Sequence, residues 1–127
     1  MRFLRAHEAE VYAAFRIVVG FLFFWHGLEM LFGIPAPPPP EAPAFILWTA
    51  GPIELGCGLL VMVGFFTRPA AFLASGLMAF AYWLGHGTRA LLPIVNQGEL
   101  AVLYCFAFLF IAARGSGPWS VQGDPAT

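Results

Sequence analysis

Five ionisable side chains lie inside or at the edges of strongly apolar runs: His26, Glu29, Glu54, His86 and Glu99. Imidazole and carboxyl groups exchange protons readily, bind polar ligands and ligate metals. His26 and Glu29 are three residues apart, so a helix presents them on one face. Glu54 stands among tiny residues in GPIELGCG (51–58), and Glu99 follows Asn96 by one turn. An acidic or basic group turned to lipid at mid-depth costs on the order of 3 kcal/mol on insertion scales. The five are therefore expected to converge inside a helical cluster rather than face outward.

The elements that must position them are legible in the hydropathy. The 127 residues are 60% hydrophobic, 17% aromatic and 10% charged, with six arginines and no lysine; ordinary globular domains are roughly 25% charged. So small a fold could not hide that much apolar surface from water, and the lipid bilayer is the expected solvent. Four apolar runs, residues 11–33, 44–66, 69–88 and 94–113, each match the roughly 20 residues a helix needs to cross a bilayer. Nothing alternates with period two. The fold class expected is all-α: an integral membrane antiparallel four-helix bundle, one membrane domain over 1–127. MRFLRAHEAE at the N-terminus includes two glutamates, and the run after it exceeds a signal-peptide core, so it is read as a first span.

The connections agree. Residues 34–43 form a proline-rich outer loop, FTRPAAF (66–72) a tight turn with Thr67 as its expected N-cap, and 114–127 a tail. Arg2, Arg5, Arg16, Arg68 and Arg114 fall at one end of the bundle and Arg89 at the other. The positive-inside rule then predicts a multi-pass protein of the inner (plasma) membrane with both termini cytoplasmic. Arg16 is expected to snorkel to the head groups, and Trp25, Trp48 and Trp83 to sit as interface or packing aromatics. Cys57 and Cys105 form no C-x-x-C pair and read as packing residues. A net charge of −1 and the lack of a basic stripe argue against nucleic acid. No nucleophilic triad, phosphate loop or haem-attachment motif occurs.

At 1.5 Å per residue, His26 lies ~10 Å, Glu29 ~6 Å, Glu54 ~15 Å and Glu99 ~8 Å from the outer ends of their helices, with His86 in the last outer turn. All five fall in the outer half. Inward rows are expected along Tyr12, Arg16, Val19, Phe23, His26 and Met30; along Ser75, Ala79, Tyr82 and His86; and along Asn96, Glu99, Leu103 and Phe106. Three roles stay open: a hydrogen-bonded network fixing helix register, a pocket for a quinone-like ligand or for proton transfer, and a metal site. The last only faintly echoes carboxylate-bridged bundles, because His26-x-x-Glu29 reverses the usual order.

Three stretches, RIVVGFLFFWHGLEMLFG (16–33), ELGCGLLVMVGFFTRPAAF (54–72) and NQGELAVLYCFAFLFIAARGSGPWSV (96–121), resemble the DoxX family of small bacterial and archaeal membrane proteins. Arg16, His26, Gly27, Glu54, Glu99 and GSGPWS (115–120) carry the likeness. The resemblance implies a four-helix membrane bundle associated with oxidoreductase systems, some members being similar to a thiosulfate–quinone oxidoreductase subunit and others sitting in complexes of oxidative-stress defence. The chain departs from the family pattern at Glu29, where lysine or glutamine is frequent, and at Val121-Gln122, where Leu-Asp is familiar. The extra carboxylate at Glu29 favours a cation or a proton over an anionic substrate. The function expected is a component of a membrane oxidoreductase system, with His26, Glu29, Glu54, His86 and Glu99 around a quinone-like ligand. The alternative is a non-catalytic accessory subunit packed against other subunits of a respiratory or photosynthetic membrane complex.

Overall fold

A computed structural model describes residues 1–123; the last four residues of the tail expected over 114–127 lie outside the described ones. The chain runs through α1 (Arg2–Ala6), α2 (Glu8–Phe32), α3 (Ala44–Val63), α4 (Thr67–Tyr82), a π-helical turn (Trp83–Gly87), α5 (Pro93–Asn96) and α6 (Glu99–Arg114). The described residues are helical with no strand, in accord with the absence of period-two patterning. Two helices, α2 and α3, are long and apolar enough to cross a membrane. The other two long helices are shorter than the sequence suggested. The helix expected from residue 94 starts at Glu99, because Gln97 takes a left-handed φ of 61° and separates α5 from α6. The run over 44–66 stops at Val63, where Gly64 turns the chain with φ 76°. Thr67 does not cap α4 with its side chain; its hydroxyl accepts a hydrogen bond from Ser116 Oγ at 2.8 Å.

Side-chain size sets the helix spacing. α2 and α3 pack antiparallel through glycines, with Gly20 against Gly58 and Met62, Gly27 against Leu55, and Gly58 against Phe24. A methyl group built on Gly58 would stand 2.5 Å from the backbone nitrogen of Phe24, so the two backbones are close to touching. α4 and α6 meet through Ala70, Ala71, Ala74 and Ser75, all buried, and Ser75 Oγ donates to the carbonyl of Cys105 at 2.7 Å. Rings separate α2 from α6: Phe23 packs on Phe108 and Tyr104 with centroids 4.6 and 5.3 Å apart, and Tyr12 meets Phe110 edge-on at 5.7 Å. The outward faces carry Phe45, Trp48, Phe72, Phe80, Leu103 and Phe106, each more than 60% exposed, a surface suited to contact with lipid.

Arg16 departs from expectation. Rather than snorkelling, it is fully buried, its Nε donating to the carbonyl of Val61 at 3.1 Å. Its terminal nitrogens donate to the carbonyls of Ser116, Pro118 (3.0 Å) and Trp119 (2.6 Å). A guanidinium presents several donors in a fixed fork, and here the backbone of the GSGPWS segment curls round to accept them. The tail is thereby folded onto the helix ends: Val121 N–H donates to Val63 O, and Gln122 N–H to Gly64 O. Arg68 closes the C-terminal end of α6 by donating to the carbonyls of Ala112, Ala113 and Arg114, which have no partner within their own helix.

If glycine holds α2 and α3 together as described, Gly58→Ala lowers stability by about 1–3 kcal/mol through overpacking. Gly56→Ala, where an added methyl group meets nothing within 4 Å, leaves it unchanged or slightly raised. Thermal unfolding of both variants in detergent measures the difference.

Candidate functional site

A cavity of about 290 Å³ opens where the helix pairs meet, lined by Phe23 and His26 of α2, Glu54 of α3, Met78 of α4, His86 of the π-helical turn and Tyr104 of α6. Each wall follows from local structure. Phe23 and Tyr104 belong to the ring stack that separates α2 from α6. Glu54 lies on the glycine-lined face of α3, between buried Gly51 and Gly58. His86 sits in the π-helical turn, whose extra residue re-aims side chains relative to an α-helix.

Glu54 is 6% exposed, and its Oε2 is a buried side-chain oxygen without a hydrogen-bond partner among the described residues. Buried carboxyl oxygens are normally partnered, and this one stands out among the described residues. His86 Nδ1 lies 3.0 Å from the carbonyl of Asn96. A carbonyl only accepts, so the hydrogen is on Nδ1 and the ring's Nε2 keeps its lone pair. Asn96, 3% exposed, organises that corner. Its Nδ2 donates to Tyr82 Oη and to the carbonyl of Ala90, both at 3.0 Å, and its Oδ1 accepts from Gly98 N–H at 2.8 Å.

Of the five expected site residues, the structure brings His26, Glu54 and His86 to one cavity. Glu29 joins at one remove, its Oε2 3.8 Å from His26 Nδ1. Glu99 does not line the cavity: it is exposed, as are Leu103 and Phe106 from the same expected inward row. Glu99 is the first residue of α6, where a carboxylate is stabilised by the helix dipole without any partner from another helix. The face of α6 that does turn inward is Tyr104, Phe108 and Ile111, continued by Ala101 at the cavity, where the exposed Gln97 of the preceding break also reaches the rim. Taking the acidic residue as the marker of the inner face points away from Tyr104, whereas the helical spacing 101, 104, 108, 111 carries the signal; Gln97, in the break before α6, has none. Among the described residues, no group of three or more His, Cys, Asp or Glu is arranged to hold a metal ion, which leaves the metal alternative without a donor set.

Among the described residues, helices with apolar outward faces around a small, mostly apolar cavity that holds three ionisable side chains define the class so far. The family model described as DoxX matches residues 11–87. A protein of Haemophilus influenzae described as uncharacterized is 36% identical over 123 residues, covering 92% of this chain and 92% of that one. The chain belongs to the DoxX family, whose members are associated with membranes. No solved structure matches it. The family match includes α2, α3, α4 and the π-helical turn, and so three of the cavity's ionisable residues; α6 and the folded tail lie beyond it.

Removing the Asn96 side chain strands Gly98 N–H, Tyr82 Oη and the Ala90 carbonyl together. Asn96→Ala is expected to lose about 1–3 kcal/mol of stability while the His86 ring keeps its Nδ1–H tautomer, because the backbone carbonyl that accepts from it remains. Thermal unfolding measures the first effect, and nitrogen-15 imidazole spectra showing the same single tautomer in parent and variant check the second.

Proposed function

We propose that this protein is an antiparallel four-helix bundle of the inner membrane, with both termini cytoplasmic, acting within a membrane oxidoreductase system. Its outer-half cavity takes a quinone-like ligand and exchanges protons with it. The observation that carries this reading is the unpartnered Oε2 of Glu54 in a cavity that also holds two imidazoles. About 290 Å³ lies at the lower end of small-molecule sites, enough for a single-ring head group, with Phe23 and Tyr104 flanking it. Glu54 Oε2 and His86 Nε2 both accept hydrogen bonds and suit the two hydroxyls of a reduced ring. When its electrons pass to a redox-active partner subunit, those two groups take up the protons released. The segregation of five arginines to one end supports the orientation.

Glu54→Gln and His86→Ala should each weaken binding of decylubiquinol about tenfold, the equivalent of one hydrogen bond, while the purified protein elutes as the parent does. Glu99→Gln, outside the cavity, should bind as the parent. Loss of helix packing in the first two variants, with no quinol bound by the parent, would point instead to a structural network. For orientation, alkaline phosphatase fused to the C-terminus should be inactive and a fluorescent protein at the same point should be bright; the reverse pattern overturns the cytoplasmic assignment.

A further inference from the structure

We infer that Glu29 and His26 form the proton inlet that connects the outer face to Glu54, an inference that rests on Glu54 being the proton-exchanging group of the cavity. Glu29 and His26 are partly exposed, with side chains 32% and 40% accessible, whereas Glu54 is buried. His26 therefore touches both environments: its Nδ1 faces Glu29 Oε2 at 3.8 Å, and its ring lines the cavity that holds Glu54. The distance exceeds a hydrogen bond, and a rotation of the Glu29 side chain or one bridging water closes it. Tyr104 packs edge-on against the His26 ring with centroids 5.7 Å apart, which fixes the plane of the imidazole.

In the inward direction, Glu29 takes a proton from water and passes it to His26 Nδ1. The ring releases its Nε2 proton into the cavity, where the Glu54 carboxylate accepts it, and exchange with water, which removes the Nδ1 proton and returns one to Nε2, restores the starting tautomer. The reverse sequence expels a proton to the outer face. His86 is not on this route, because its Nδ1–H is held by the Asn96 carbonyl.

Infrared spectroscopy of the full chain in lipid nanodiscs tests this without any ligand. The protonated carboxyl band of Glu54 is identified by its loss in Glu54→Gln, and its hydrogen–deuterium exchange is timed after a switch to heavy water. Exchange is expected to slow about tenfold or more in both Glu29→Gln and His26→Phe, the scale of a lost general acid–base group, and to be unchanged in Glu99→Gln. Glu29 is partly exposed, so Glu29→Gln keeps the test valid if His26→Phe fails to fold. Exchange at the parent rate in Glu29→Gln overturns the inlet. Decylubiquinol binding measured on the same samples separates the two ideas: slowed exchange with no quinol binding retains the inlet and removes the quinol reading.

Discussion

The spacing between α2 and α6 governs much of the molecule. α2 is held to α3 by glycines so tightly that a single methyl group would collide with backbone, yet it is held off α6 by Phe23, Tyr104 and Phe108. Dispersion favours close approach in both cases, but where rings intervene the axes cannot close. Unequal spacing leaves room at the level where the ring stack gives way to His26. The cavity thus follows from residue size rather than from the polar residues themselves. Glu54 faces it because the glycine row of α3 that seats α2 also brings Glu54 to that face.

The opposite end of the bundle is solved by a different interaction. Arg16 is taken wholly out of solvent, which is costly unless its donors are satisfied. The carbonyls of Val61, Ser116, Pro118 and Trp119 satisfy it from two segments remote in sequence. The guanidinium therefore ties α2 to α3 and both to the tail. Gln122 uses its side-chain oxygen to accept from Phe66 N–H at 2.8 Å. Phe66 is in a left-handed conformation (φ 46°) as the chain enters α4. An amide oxygen there serves the same acceptor role that a carboxylate offers.

Much of this was legible in the sequence, and the failures have a pattern. Helical content, the two long apolar helices and the inward rows of α2 and α3 follow from periodicity alone, since 3.6 residues per turn leaves little choice over long runs. Arg16 was misread because depth was counted from the helix end while the tail was treated as solvent-exposed chain; a segment without periodicity gives no sign that its carbonyls will form a cage. Glu99 was misread for a related reason. The break at Gln97 turns residue 99 into a helix N-terminus, where a carboxylate is stable facing outward. Without that break, the same residue would be a buried mid-helix charge needing a partner.

Breaks in regular helix surround the candidate site: the π-helical turn that carries His86, the left-handed Gln97, and the Asn96 side chain that bonds Tyr82, Ala90 and Gly98. Irregular backbone leaves polar groups that need partners of their own, and Asn96 supplies much of that. Glu54 Oε2 is the contrast, a buried acceptor left without a partner while its neighbourhood is well bonded. Such an atom costs about 1–3 kcal/mol relative to a bonded one, a large fraction of the marginal stability of a small fold. A purely structural network would be expected to close on itself, as the one around Asn96 does. A ligand able to donate to Glu54 would recover that free energy on binding, which is the physical basis of the binding role proposed for the cavity.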